Sequence, residues 1–204
     1  MGELHGIALD AASIYISSRL AVNASTNGGA LSRCPKTACG GAPATLVSMT
    51  FPSTQLWAGG IALHDGIAYF STVDHIASCN AAGCNNAPTV LAAGAAGADS
   101  IAVNATDVYW ADAHAVHRCP IPGCAGGPRV VVEGLNDILA ISIDAKNVFI
   151  ADNGAGQVLS CPLDGCGLPT LVAGGQSAVS AIANDAAAVY WVTPGLGTVV
   201  KLAK

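Results

Sequence analysis

Charge is scarce in this chain of 204 residues. Only 10% of the residues are charged, with 8 basic and 13 acidic side chains, and no segment concentrates Lys and Arg. Because nucleic acids and anionic membrane surfaces are bound through clustered positive charge, the composition argues against both as partners. The most apolar windows, residues 88–98 and 186–192, are far shorter than the roughly 20 residues that a spanning helix needs, so we expect no membrane span.

The sequence also lacks the signals of helices and of a secretory leader. No window combines a 3.6-residue apolar period with end caps. The first ten residues, MGELHGIALD, have neither a basic start nor an apolar run, so we do not expect them to form a signal peptide. Hydrophobic residues nevertheless make up 52% of the chain, which indicates a folded protein and not a disordered one.

What the sequence does contain is a repeat. The isoleucines that open the first strand of units two to five are spaced by 40, 40 and 41 residues: Ile61, Ile101, Ile141 and Ile182. Each unit holds four short β-branched and aromatic runs separated by turn residues, which predicts four antiparallel strands. This period is typical of a β-propeller blade, whereas a parallel β-helix, the main alternative, has shorter repeats without hairpin turns. We predict an all-β chain with one propeller domain over residues 1–204, and repeats at approximately 6–50, 60–93, 100–134, 140–174 and 181–204.

Three of the units carry an aromatic-rich motif that resembles a known family. The segments YWAD (109–112), FIAD (149–152) and YWVT (190–193) resemble the YWTD repeats of lipoprotein-receptor propellers and, more loosely, NHL repeats. The resemblance implies that the aromatic residue and the Asp hold adjacent blades together. The receptor blades have no matching cysteine pairs, and in this respect the chain resembles repeats of secreted bacterial surface proteins and lipoproteins.

All eight cysteines occur in four C-x4-C pairs, CPKTAC, CNAAGC, CPIPGC and CPLDGC. Each pair flanks the predicted turn between the third and fourth strands of its unit. A four-residue hairpin loop places the flanking Cα atoms about 5.5 Å apart, which suits a disulfide. We therefore predict the bridges Cys34–Cys39, Cys79–Cys84, Cys119–Cys124 and Cys161–Cys166. A zinc site with four cysteine ligands and free thiols are the alternatives, and the zinc site requires pairs on separate blades to meet at one ion.

Four disulfides imply an oxidising compartment, so we expect an extracellular, cell-surface or periplasmic location. We expect the first unit to start within a blade and the last unit to stop within one. We expect the chain to be part of a ring of six or more blades; a five-bladed ring and self-association through open blade edges are the alternatives.

Ligands of propellers usually bind at the face formed by the loops between the second and third strands and by the connections to the next blade. The longest loop that we expect there spans residues 17–29, because the first unit carries about nine extra residues at this point. The ionisable residues that we expect there, as speculative ligand-binding residues, are Asp74, His75, Asp99, Asp112, His114, Asp137 and Asp152. The Asp74–His75 and Asp112–His114 segments recur on neighbouring blades. Of the residues predicted near the central channel, His5, Asp99 and Asp137 are polar enough to act. Two carboxylates are too few for a calcium site, so we expect no metal or other cofactor.

A further Asp or Asn recurs after the first strand: Asp10, Asn104, Asp144 and Asp185. We expect these side chains to bind the backbone of the following turn, with one calcium site per blade as the alternative.

We predict a non-enzymatic binding or scaffold module of an exported protein, with a protein or carbohydrate ligand at the propeller face. The first alternative is a hydrolase or lyase of the lactonase type whose catalytic site is incomplete in this chain. The second is a structural spacer without a ligand.

Overall fold

The computed structural model describes residues 3–23, 25–37, 43–52 and 59–204. Blade 1 contains β1 (Glu3–Leu9), β2 (Ser13–Asn23), β3 (Thr26–Pro35) and β4 (Ala44–Pro52), and blade 2 contains β5 (Ile61–His64), β6 (Ile67–Ser71), β7 (His75–Asn80) and β8 (Thr89–Ala93). Blade 3 contains β9 (Ser100–Val103), β10 (Asp107–Ala111), β11 (Val116–Pro120) and β12 (Arg129–Val132), and blade 4 contains β13 (Ile138–Ile143), β14 (Asn147–Asp152), β15 (Gln157–Pro162) and β16 (Thr170–Ala173). Blade 5 contains β17 (Ala181–Asn184), β18 (Ala188–Thr193) and β19 (Thr198–Ala203), with a 3₁₀ turn at Pro194–Leu196.

Each sheet is an antiparallel meander in sequence order, and blade 5 has three strands where the others have four. The last unit is therefore a partial blade as expected, whereas the expectation of a partial first unit is wrong, because blade 1 has all four strands. The prediction of an all-β propeller with four-stranded antiparallel blades is confirmed. The described residues contain no α-helix, as the absence of a capped 3.6-residue period predicts.

The core lies between consecutive blades, because alternate residues of each strand face opposite neighbours. In blade 3, Val108 and Trp110 pack with blade 2, whereas Tyr109 and Ala111 pack with blade 4. Buried clusters of this kind join blades 1 and 2, 2 and 3, 3 and 4, and 4 and 5. Among the described residues no buried cluster joins blade 5 to blade 1, so the blades form an arc, as expected for an incomplete propeller and not for a closed five-bladed ring.

The innermost strands approach each other closely where two glycines meet. A β-carbon on Gly6 would lie 2.5 Å from the carbonyl oxygen of Gly59. The buried hydroxyl of Ser17 binds that same carbonyl, and in the next blade the Ser71 hydroxyl accepts a hydrogen bond of 2.8 Å from the backbone N–H of Gly60. Glycine is therefore required at residue 6 for blades 1 and 2 to converge toward the axis.

In blade 1, the strands β2, β3 and β4 are longer than their equivalents in the other blades. The sequence predicts a loop over residues 17–29, but this interpretation is wrong because β2 and β3 remain paired almost to the tip, where Asn23 lies opposite Thr26. The fourth strand continues alongside them, with Phe51 opposite Asn27. The inserted residues therefore extend three strands, since continued pairing satisfies backbone groups that an open loop would leave to solvent.

The described cysteine pairs form the predicted disulfides. The bridges Cys79–Cys84, Cys119–Cys124 and Cys161–Cys166 have Cα–Cα distances of 5.5, 5.3 and 5.8 Å. Cys34 is also disulfide-bonded, and its predicted partner Cys39 lies outside the described residues. No described cysteine is free, so for these residues the zinc and free-thiol alternatives are excluded.

Candidate binding face

The propeller has two opposite faces, and different connections between strands form each of them. One face carries the turns between first and second strands together with the disulfide hairpins, and we call it the hairpin face. The other carries the loops between second and third strands and the connections between blades, and we call it the loop face. All seven predicted ligand-binding residues lie in segments of the loop face.

The recurring Asp and Asn residues of the hairpin face serve the backbone. In blade 4, Asp144 Oδ1 accepts hydrogen bonds of 2.8 Å from the backbone N–H groups of both Lys146 and Asn147. The same pair of contacts is made by Asp10, Asn104 and Asp185 in their own turns. These oxygens are occupied by turn formation, which is the predicted role and leaves no support for a calcium site in each blade.

The tall hairpin of blade 1 creates a cleft on the loop face, which we call the apolar cleft. It has a volume of about 330 Å³ between β4 and blade 2, with walls that include Met49, Phe51 and Val90. Asp74 and His75 are the ionisable residues of its lining, and the Asp74 carboxylate contacts the His75 ring at Nδ1. The sequence-predicted pair therefore exists, and it belongs to a mainly apolar pocket.

A second cleft, which we call the acidic cleft, lies where blades 2, 3 and 4 are connected. It has a volume of about 530 Å³, and its ionisable lining residues are Asp99, Asp112, His114 and Glu133. Sequence reasoning missed Glu133. Its position directly after β12, in a connection of the loop face, is the signal that could have identified it.

Asp112 holds its own loop in place. Its Oδ1 accepts hydrogen bonds from the backbone N–H groups of His114 at 2.8 Å and Ala115 at 2.9 Å, and its Oδ2 lies 2.8 Å from Nε2 of His117. Burial opposes ionisation of this carboxyl, but the hydrogen bonds outweigh it and lower its pKa. The carboxylate of Asp112 thus contacts the ring of His117 of β11, which stacks on Trp110, and it binds His114 through the backbone N–H of that residue.

His114 links the acidic cleft to the connection between blades 3 and 4. Its carbonyl accepts a hydrogen bond of 3.0 Å from the backbone N–H of Leu135, and its ring Nδ1 lies 3.1 Å from the Leu135 carbonyl oxygen. The imidazole is therefore anchored on one side by backbone while it lines the cleft.

Asp99 is an exposed acid of the cleft. Partial desolvation raises the pKa of its carboxyl, and the charge of His5 partly offsets that effect. The structure thus brings together two of the three polar residues that the sequence predicts near the central channel.

Asp137 and Asp152 hold neighbouring loops together and line neither cleft. The buried Asp152 accepts backbone hydrogen bonds from Asn136 at 3.2 Å and Ala155 at 3.3 Å. Asp137, with a φ of 65°, accepts a hydrogen bond of 2.7 Å from the Asn153 side chain. These contacts join the connection between blades 3 and 4 to the loop between β14 and β15.

Within the described ranges, no group of three or more His, Cys, Asp or Glu side chains is arranged to hold a metal ion. The same part of the chain has no helix with the length and apolar character that a bilayer-spanning segment requires.

Comparisons with known proteins agree with the architecture. No protein-family model and no curated protein match the sequence. A nidogen/laminin complex contains a similar structure, at 17% identity and a TM-score of 0.75, with 98% of this chain and 75% of that chain covered. An inactive virginiamycin B lyase from Staphylococcus aureus, solved with quinupristin, is 12% identical with a TM-score of 0.66, covering 100% and 70% of the two chains. BamB from Moraxella catarrhalis is 12% identical with a TM-score of 0.61, covering 97% and 57%.

At these identities the similarity shows the fold alone. The chain is a β-propeller in a disulfide-bearing form, as the YWTD-like and NHL-like repeats imply.

Proposed function

We propose that this chain is a non-enzymatic binding module of an exported protein and that it binds a protein partner through the loop face. The observation that carries the proposal is the acidic cleft, which has a volume of about 530 Å³ and is lined by Asp99, Asp112 and Glu133. A cleft of this size with convergent polar groups is the expected form of a binding site. The structural similarity to a protein solved in a nidogen/laminin complex supports a protein as the partner.

The chemistry of the two clefts defines the partner segment. Carboxylates select Arg and Lys, through charge-assisted hydrogen bonds. The apolar cleft, with Met49, Phe51 and Val90 in its walls, suits the single buried anchor that dominates many interfaces. We infer an extended segment that pairs an aromatic or aliphatic anchor with basic residues.

The disulfides support a location outside reducing compartments, because such bridges persist only under oxidising conditions. The chain has one in each of blades 2, 3 and 4. We propose an extracellular, cell-surface or periplasmic location.

The enzymatic alternative ranks second. Asp74 and His75 form the pair that could serve as a general base, and they line a cleft. The carboxylate–histidine contact beside the acidic cleft, Asp112–His117, holds a loop and a strand together. The likeness to the lyase concerns the fold, so it adds no catalytic residue.

The proposal is tested with short fluorescent peptides that combine one aromatic residue with arginines, using peptides with Glu in place of Arg as the comparison. Binding is measured by anisotropy. Glu133→Gln and Val90→Trp should each lower the affinity for the arginine peptide about tenfold, which corresponds to about 1.4 kcal/mol of binding free energy. The weakening by Glu133→Gln should diminish at high salt.

Matched controls are available in the repeat. Asp65→Asn removes one exposed charge from the hairpin face, and Val130→Trp alters the outer strand of blade 3 at a position as exposed as Val90 (49% against 55%). Equal binding of the arginine and glutamate peptides, or equal loss in these controls, would overturn the proposal.

A further inference from the structure

The repeat gives each blade two faces with defined roles. We call the face toward the following blade the trailing face and the face toward the preceding blade the leading face. On the trailing face, the aromatic residue of the second strand is covered by the next blade. It is 1% exposed at Tyr15, 4% at Tyr69, 1% at Tyr109 and 6% at Phe149.

Blade 5 presents the same trailing face with no following blade among the described residues, and the Lys201 ammonium lies 5.5 Å from the ring centroid of Tyr190 on it. Tyr190 is the equivalent aromatic residue, and it lies with Val192 and Val199 along a shallow apolar depression of about 240 Å³. Val199 is 73% exposed. The described part of the chain provides no element that packs there.

The orientation of Tyr190 is already that of a covered residue. Its hydroxyl donates a hydrogen bond of 2.8 Å to Asp185 Oδ2. In blade 1, Tyr15 makes the same 2.8 Å bond to Asp10 beneath the packed blade 2. The trailing face of blade 5 is therefore pre-arranged for a blade to stack on it, which reduces the ordering required on binding.

The leading face of blade 1 is the complementary exposed surface. Ile61, Ile101 and Ile141 are 9%, 8% and 6% exposed because the preceding blade covers them, whereas the equivalent Ile7 is 68% exposed. Leu9, on the same face of β1 by the strand register, is 58% exposed. Contiguous exposed apolar surface of this kind marks an interaction site.

We propose that these two end faces bind each other between molecules, so that blade 1 of a second copy stacks on blade 5. The argument for this occupant is internal, because the chain forms the same trailing-to-leading interface four times between its own blades. A second copy supplies the matching half of that interface. The contact is heterologous, and it builds a closed ring if its rotation closes and an open chain otherwise.

Sedimentation velocity of the 204-residue chain across a wide concentration range tests the assembly. The wild-type chain should form oligomers that grow with concentration. Ile7→Asp on the leading face and Val199→Asp on the trailing face should each weaken association more than about tenfold, because a charge placed against apolar side chains is strongly disfavoured. Val130→Asp is the control, since that side chain is 49% exposed but lies on neither end face.

Mixing the two variants identifies the polarity of the contact. Ile7→Asp retains an intact blade 5 face and Val199→Asp retains an intact blade 1 face, so an equimolar mixture should form a heterodimer that neither variant forms alone. Circular dichroism checks that each variant is folded, and Leu9→Asp replaces Ile7→Asp if the latter unfolds.

Three outcomes would overturn the proposal. A wild-type chain that stays monomeric at every concentration shows that the end faces do not accept a second copy. Homodimers of a single variant show pairing of like faces, and equal loss of association in Val130→Asp shows contact elsewhere.

Discussion

At the residue scale, the clearest signals are the polar side chains that bind their own turn. Asp144 and Asn104 make the same backbone contacts, and both roles follow from the sequence because the partners are two and three residues away. Blade 2 shows the alternative solution, since His64 has no carboxyl or amide oxygen and its turn uses Asp65 and Gly66 at positive φ. The pairing of Asp112 with His117 was not predictable in this way, because it depends on which face of β11 meets the loop.

Replacing Asp144 separates the turn contact from the charge. Asp144→Asn should keep the turn, as Asn104 does, and should lose the ion pair of 2.7 Å with Lys204, lowering the free energy of unfolding by less than about 1 kcal/mol. Asp144→Ala should lower it by a further amount of about 1–2 kcal/mol, because the N–H groups of Lys146 and Asn147 lose their acceptor. Urea unfolding at neutral pH measures both.

The same variants have a predictable pH dependence. Burial opposes ionisation of Asp144, but Lys204 and the turn N–H groups outweigh it and lower the pKa of the carboxyl. A depressed folded-state pKa gives stability that is fully present above the unfolded value of about 3.9 and is lost as the pH falls through the folded value. The difference between wild type and Asp144→Asn should therefore shrink below about pH 4. A difference that is constant with pH would contradict this assignment.

At the element scale, the disulfide hairpins do more than close a turn within one blade. The backbone N–H of Cys124 donates to the Leu91 carbonyl of blade 2 at 3.1 Å, and Cys166 donates to Val131 of blade 3 at 3.0 Å. Each hairpin thus binds the outermost strand of the preceding blade. The bridges were predictable from the local C-x4-C spacing, whereas this contact between blades was not, because the partner residues lie 33 and 35 positions earlier in the chain.

Removal of one bridge should therefore loosen two blades. In Cys119→Ser/Cys124→Ser, the free energy of unfolding should fall by about 2 kcal/mol, the chain-entropy value for so small a loop. Hydrogen exchange should accelerate in the hairpin between β11 and β12 and also in β8, whose carbonyl loses an ordered donor. Cys161→Ser/Cys166→Ser is the matched control, in which exchange should accelerate in the disulfide hairpin of blade 4 and in β12 of blade 3. Exchange that changes within the mutated blade alone would contradict a role between blades.

At the scale of the whole molecule, the repeat determines the architecture and little else. The period near 40 residues and the four-strand pattern predict the blades correctly, since each blade must bury both faces against equivalent neighbours. The height of blade 1 was not predictable, because residues 17–29 are rich in turn formers and their pairing depends on β4 lying alongside. The apolar cleft results from that extension, so it too was beyond the sequence. Of the seven predicted site residues, five line the two clefts and Asp137 and Asp152 do not.

An arc of blades should be less stable at its ends than in its middle. In the part of the chain that the structure describes, blade 5 packs against blade 4 alone, whereas blade 3 is packed on both sides. Two equivalent tryptophans test this: Trp191, 3% exposed between blades 4 and 5, and Trp110, 1% exposed between blades 2 and 3. Either change to Ala should remove about 3–5 kcal/mol of packing. Hydrogen exchange of Trp191→Ala, measured at low protein concentration, should show lost protection in β17 to β19 with β5 to β12 unchanged. Trp110→Ala should lower protection on both sides of its interface and the stability of the whole arc. Equal, global loss in both variants would mean that the blades unfold as one unit despite the open ends.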